Sequence, residues 1–127
     1  MLPSHPATAA NPNAGPVVTK AVVRAADRLD MRARVLATVI GVSEATVSRM
    51  KRGEFKLEPG TKPFELGVLF VRLFRSLDAI VGGDDAVAAA WLANLNTALD
   101  ARPVDKLQSV SGLVDVLTYL DARRALV

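Results

Sequence analysis

The chain contains no cysteine and a single histidine, His5, among its 127 residues. Without thiols, disulfide scaffolds, zinc ribbons and cysteine nucleophiles are excluded, and a reducing cytosol suits the sequence. With one histidine, in a proline-studded stretch, neither a histidine acid/base site nor a multi-histidine metal site has the groups it needs. Aromatic residues are scarce at 5%, with one Trp and one Tyr. Long apolar runs are missing as well. The mean hydropathy is +0.26, yet the most apolar run, residues 66–71, is far short of the roughly 20 residues that a spanning helix requires. The N-terminus lacks the charged and continuously apolar regions of a secretion signal, so a cytoplasmic protein without membrane association is expected.

Catalytic groupings are equally thin. Asp84-Asp85 is the only adjacent carboxylate pair, and its position after Gly82-Gly83 is that of a helix cap. No glycine-rich phosphate loop and no nucleophile-base arrangement occurs. The expectation is a protein that is not an enzyme, with no catalytic residue, metal or cofactor.

What the chain does have is helical periodicity. Half of it is apolar and 23% is charged, a globular composition. Residues 1–16 hold Pro3, Pro6, Pro12 and Pro16 among small polar residues and are expected to form a flexible, disordered tail. From Val17, apolar residues recur at three and four positions through Leu29. Short helices follow over 32–40 and from Ser43 to about Arg52, where Gly53 ends the second. Residues 54–63, with two prolines and a glycine, read as a connector. Helices are then expected over 64–81, over 86–99, in a short segment to about Leu107, and from Ser111 or Gly112 onward. No strand pattern competes, so the class is all-α, with domains at 17–60 and 64–127. The helix over 64–81 is apolar on most of its circumference and belongs either in a core or in a core that doubles as a dimer interface.

Charge divides the chain in the same way. The whole carries +3, but residues 1–60 hold nine Lys/Arg against five Asp/Glu, whereas 61–127 hold seven against eight. A nucleic-acid partner would therefore meet the first half.

Residues 33–52 have the spacing of a helix-turn-helix. Ala37 is small where the second helix must approach, and Gly41 permits a left-handed turn. Leu36, Ile40, Val42, Val47 and Met50 supply the apolar positions. Ser43 is placed to cap the second helix. Periodicity turns Ser43, Glu44, Ala45, Ser48, Arg49 and Arg52 outward. Arg49 is the candidate for a bidentate guanine contact; Lys51, Arg52 and Lys56 suit phosphates. The series from Leu36 to Arg49, including Thr46, resembles the Xre (phage repressor-like) family. The candidate DNA-contacting residues are thus Ser43, Glu44, Thr46, Ser48, Arg49, Lys51 and Arg52. A plain helical hairpin with a solvated basic surface is the competing account.

In the second half the order of residues is informative: Ala90-Trp91-Leu92, Asn96, Leu99, Arg102-Pro103-Val104-Asp105, Leu107, then Gly112-Leu113, Val116 and Leu120. Singly, these are a core or interface anchor, a helix start and a tight approach. As a series they resemble the toxin-binding domain of the MbcA/ParS/Xre antitoxin family, and within it the ParS members that pair with ParT-type RES-domain toxins. The resemblance implies a dimeric type II antitoxin with two partners. One is a cognate RES-domain toxin that breaks down NAD or transfers ADP-ribose, whose pocket the C-terminal helices and tail would cover. The other is operator DNA, through which it would repress its operon. Trp91, Arg102, Tyr119, Arg123, Arg124, Leu126 and Val127 are the implied toxin-binding residues. Arg123 and Arg124 would need an acidic partner or would lie at the pocket rim, or the carboxylate of Val127 would imitate a phosphate. Arginines serving only the helix dipole are the simpler alternative. A stand-alone dimeric helix-turn-helix regulator with no toxin partner competes with the whole account.

Overall fold

The computed structural model of the chain describes residues 12–126. The tail expected over residues 1–16 lies outside them as far as residue 11. Among the described residues the architecture is all-helical: α1 (Ala14–Arg28), α2 (Ala33–Ile40), α3 (Glu44–Lys51), α4 (Lys62–Ile80), α5 (Asp85–Ala93), α6 (Pro103–Lys106) and α7 (Val110–Arg124).

Helix α1 starts at Ala14, three residues before the first apolar position expected to be helical. Pro16 does not oppose this, because a proline in the first turn lacks only an N–H that has no intrahelical partner there. Gly15 lets the backbone of the connector pass close by, since a Cβ at this position would press on the carbonyl oxygen of Leu57. The Thr19 hydroxyl donates to Gly15 O at 2.7 Å and accepts from the Leu57 N–H at 2.8 Å. The connector is therefore pinned, with Leu57 2% exposed.

Helix α2 ends at Gly41, whose φ of +75° is the left-handed conformation the turn requires. The N–H groups of Gly41 and Val42 both return to Ala37 O, at 2.9 and 3.0 Å. Leu36, Ala37, Ile40, Val47 and Met50 are buried, and α2 packs across α3 as the spacing predicts.

Helix α4 is the spine. Phe70, Leu73 and Leu77 are at most 1% exposed, and α4 packs on α1 and α2 on one side and on α7 on the other. Each such side chain contributes roughly 1.5–3 kcal/mol by leaving water. Gly67 fits against Val22 and Leu57, which brings α4 close to α1. One continuous core thus serves both halves.

The largest departure from expectation is α5, which stops at Ala93 rather than continuing to Leu99. Residues 94–102 form a loop held by an isolated antiparallel bridge between Asn96 and Ala101. The Asn96 carboxamide oxygen accepts the Leu99 N–H at 3.0 Å, and Asp100 adopts a φ of +54°. Asn and Asp side chains that bond to nearby backbone compete with the helix, and both tolerate the left-handed region. The alanine-rich stretch 86–93 is helical, and Asn94-Leu95-Asn96 ends it.

Helix α7 begins at Val110, with Ser109 accepting the Gly112 N–H at 3.1 Å. A Cβ on Gly112 would collide with the carbonyl oxygen of Lys106. This glycine marks the close passage of α6 over the start of α7.

Candidate DNA-binding and toxin-binding surfaces

Helix α3 presents its outer face as helical spacing demands. Ser43 caps it by accepting the Thr46 N–H at 3.0 Å. Ser43, Glu44, Ala45, Arg49, Lys51 and Arg52 are exposed, and Ser48 is half-buried. Thr46 corrects the expectation. It lies with Val47 and Met50 on the inward stripe and is 9% exposed, so it has no surface to offer a groove. Its hydroxyl accepts from Ser43 Oγ at 2.9 Å and from Arg49 Nη2 at 3.3 Å. Thr46 therefore orients its neighbours. Phe55, which the spacing did not single out, lies beneath the Arg49 guanidinium at 5.3 Å from ring centroid to Cζ. Cation–π contact and hydrogen bond together hold the Arg49 fork at the base of the helix. Arg52 pairs with Glu54 at 3.1 Å, both well exposed, a surface pair weak enough to exchange for a phosphate.

The second surface is built where α5 meets α7. The Trp91 and Tyr119 rings stack with centroids 6.2 Å apart and planes 15° from parallel. Arg123 lies over the Tyr119 ring at 5.7 Å and donates to its hydroxyl at 2.9 Å. Three of the expected toxin-binding residues are thus one cluster, half-buried at its rings and open at its arginine. Arg124 leaves that cluster and reaches Ser76 Oγ of α4 at 3.4 Å. Ser76, 1% exposed, donates to Asp121 at 2.7 Å; Asp121 also receives Arg72 at 3.6 Å. Arg102 lies elsewhere, paired with Asp105 at 3.8 Å, on a cleft of about 400 Å³ that Leu29, Arg32 and Leu92 also line. Leu126 is 82% exposed, and Val127 lies outside the described residues.

A helix-turn-helix with an open outer face is therefore joined through one core to a helical unit with an exposed aromatic-arginine cluster. Residues 9–72, half of the chain, match the family model of the antitoxin Xre-like helix-turn-helix domain. The chain belongs to the Xre-like antitoxin family. Residues 76–125 match the antitoxin Xre/MbcA/ParS C-terminal toxin-binding domain. No curated protein matches the chain. As a member of this family the chain is an antitoxin of a toxin–antitoxin system, with a toxin-binding domain and a helix-turn-helix of DNA-binding type. No helix among the described residues is long and apolar enough to cross a membrane.

The two matched regions meet inside α4, between residues 72 and 76, so the antitoxin's halves share a helix. A second tie, invisible to periodicity, is Arg28 at the end of α1. Its Nη2 lies 2.9 Å from both Asp78 of α4 and Asp85 of α5, and its guanidinium sits 4.8 Å from the Phe74 ring centroid. The Asp85 hydrogen bond, followed by the fields of Asp78 and Asp85, raises the Arg28 pKa against some desolvation. The last residue of the DNA-side helix is thereby fastened to the first turn of the helix that carries Trp91.

Proposed function

We propose that the chain is the antitoxin of a type II system, acting in the cytoplasm as a homodimer. It neutralises a RES-domain toxin that consumes NAD or transfers ADP-ribose, by covering the toxin's active site with its C-terminal helices and the segment that follows them. It represses its own operon through the helix-turn-helix, with α3 in the major groove. The observation that carries the toxin half is the Trp91–Tyr119–Arg123 cluster within the matched toxin-binding region. Aromatic rings with a neighbouring arginine are the side chains that most often dominate protein–protein affinity. Dimerisation is favoured by DNA geometry, because one eight-residue helix reaches too few base pairs for selectivity and paired half-sites supply the rest. A stand-alone regulator would have no use for a toxin-binding domain.

Co-expression tests the reading. The reading frame adjacent to the antitoxin gene is induced alone or with the antitoxin. Growth arrest relieved by the antitoxin and restored with a Trp91→Ala variant is expected. A harmless neighbour that forms no complex would sink the toxin assignment.

A further inference from the structure

Adjoining the C-terminal end of α3 is a second basic feature. Residues from α1, from the end of α3 and from the connector line a groove of about 440 Å³, with Met50 in its floor. Its charged lining is Lys20 and Arg24 on one wall and Lys51 and Lys56 on the other, against a single carboxylate, Asp27. All four cations are exposed. Among the described residues, the side chains of Lys20, Arg24 and Lys51 form no hydrogen bond or ion pair; Lys56 only touches the Gly53 carbonyl, at 3.2 Å. Unneutralised like charges brought together repel one another, so such a cluster lowers stability unless an anion occupies it.

The groove is held open by the fold rather than by chance rotamers. Thr19, one residue before Lys20, receives the Leu57 N–H, and Leu57 is sunk into the core. That contact sets Lys56 across from Lys20. Lys51, in the last turn of α3, lines the same groove from the motif's side.

We propose that Lys20 and Arg24 of α1, with Lys51 and Lys56 opposite, bind the sugar-phosphate backbone of duplex DNA flanking the groove that α3 enters. The chemistry fits phosphodiesters better than a small free anion. The cations line an open rim, with no buried donor left unpartnered among the described residues to enclose an ion. Point charges on long stems satisfy a repeating backbone without reading bases. This inference rests on the helix-turn-helix binding DNA, and it extends the footprint to a helix outside the motif.

The test is salt-titrated binding of the full chain to two duplexes of equal length, one from the DNA immediately upstream of its own gene and one of scrambled sequence. Lys20→Ala/Arg24→Ala is expected to weaken both duplexes alike and to flatten the slope of log K against log salt by about 2, near 0.9 for each phosphate no longer neutralised. Lys20→Arg/Arg24→Lys restores the wild-type slope, and circular dichroism verifies the fold of each variant. An unchanged slope in a protein whose upstream binding is weakened by Arg49→Ala overturns this inference alone. A loss confined to the upstream duplex overturns it too, since that would mean base reading. Wild-type protein that binds neither duplex overturns both this inference and the DNA-binding reading beneath it.

Discussion

Trp91 and Tyr119, 28 positions apart in the sequence, stack across the α5–α7 junction at 6.2 Å, and Arg123 closes the stack through the Tyr119 hydroxyl. Aromatic pairs of this kind contribute about 0.5–1.5 kcal/mol beyond the area they bury. Trp91→Ala is expected to lower folding stability by a few kcal/mol at most. Its effect on toxin binding should be larger, with a loss of at least about 2 kcal/mol, roughly thirtyfold, by calorimetry. Tyr119→Phe keeps the stack and removes only the hydrogen bond to Arg123, so it should fold normally and lose less affinity. Equal toxin affinity in wild type and Trp91→Ala would remove this cluster from the interface.

Gly112 offers a prediction about stability alone. A methyl group there meets the backbone carbonyl of Lys106, which no rotamer change relieves. Gly112→Ala should destabilise by about 1–3 kcal/mol in urea unfolding, although alanine is the better helix former. A stabilised variant would mean that α6 does not cross α7 at this point.

Ser43 joins fold to function. Removing its hydroxyl loses the α3 cap, about 1 kcal/mol. It also frees Thr46, which holds Arg49. Ser43→Ala should therefore weaken DNA binding more than its stability loss implies. Thr46→Val, which keeps the shape but drops the acceptor for Arg49, should weaken DNA binding with the cap intact. Binding isotherms beside chemical denaturation curves separate the two effects.

Arg49→Ala is expected to cost about 1–3 kcal/mol on the preferred sequence and much less on scrambled DNA, as for removal of a bidentate base contact. Uniform weakening on both would reassign Arg49 to the phosphates.

Much of this was readable from the residues. Gly41, Ser43, Asp84 and Gly112 each carry a local signal, a left-handed turn, a cap or a close approach, and each does that job in the structure. The apolar positions of α2 and α3 sit at fixed helical spacing, so their burial followed. What failed to show depends on contacts distant in sequence or on side chains competing with backbone. Arg28 looks like any polar residue between apolar positions until α1 is laid beside Asp78 and Asp85. Lys20 and Lys56 become neighbours only because Leu57 folds back onto Thr19. Thr46 and the early end of α5 turn on hydroxyl and carboxamide hydrogen bonds, which outweigh the periodicity around them.

The most direct test of the antitoxin assignment is inhibition in a purified system. Under the proposed function the product of the neighbouring gene is a RES-domain toxin, and its NAD consumption is assayed while the intact chain is titrated in. Turnover falling to background at a fixed stoichiometry, with Trp91→Ala requiring a large excess, is the predicted result. Turnover that persists undiminished at saturating chain would contradict the account.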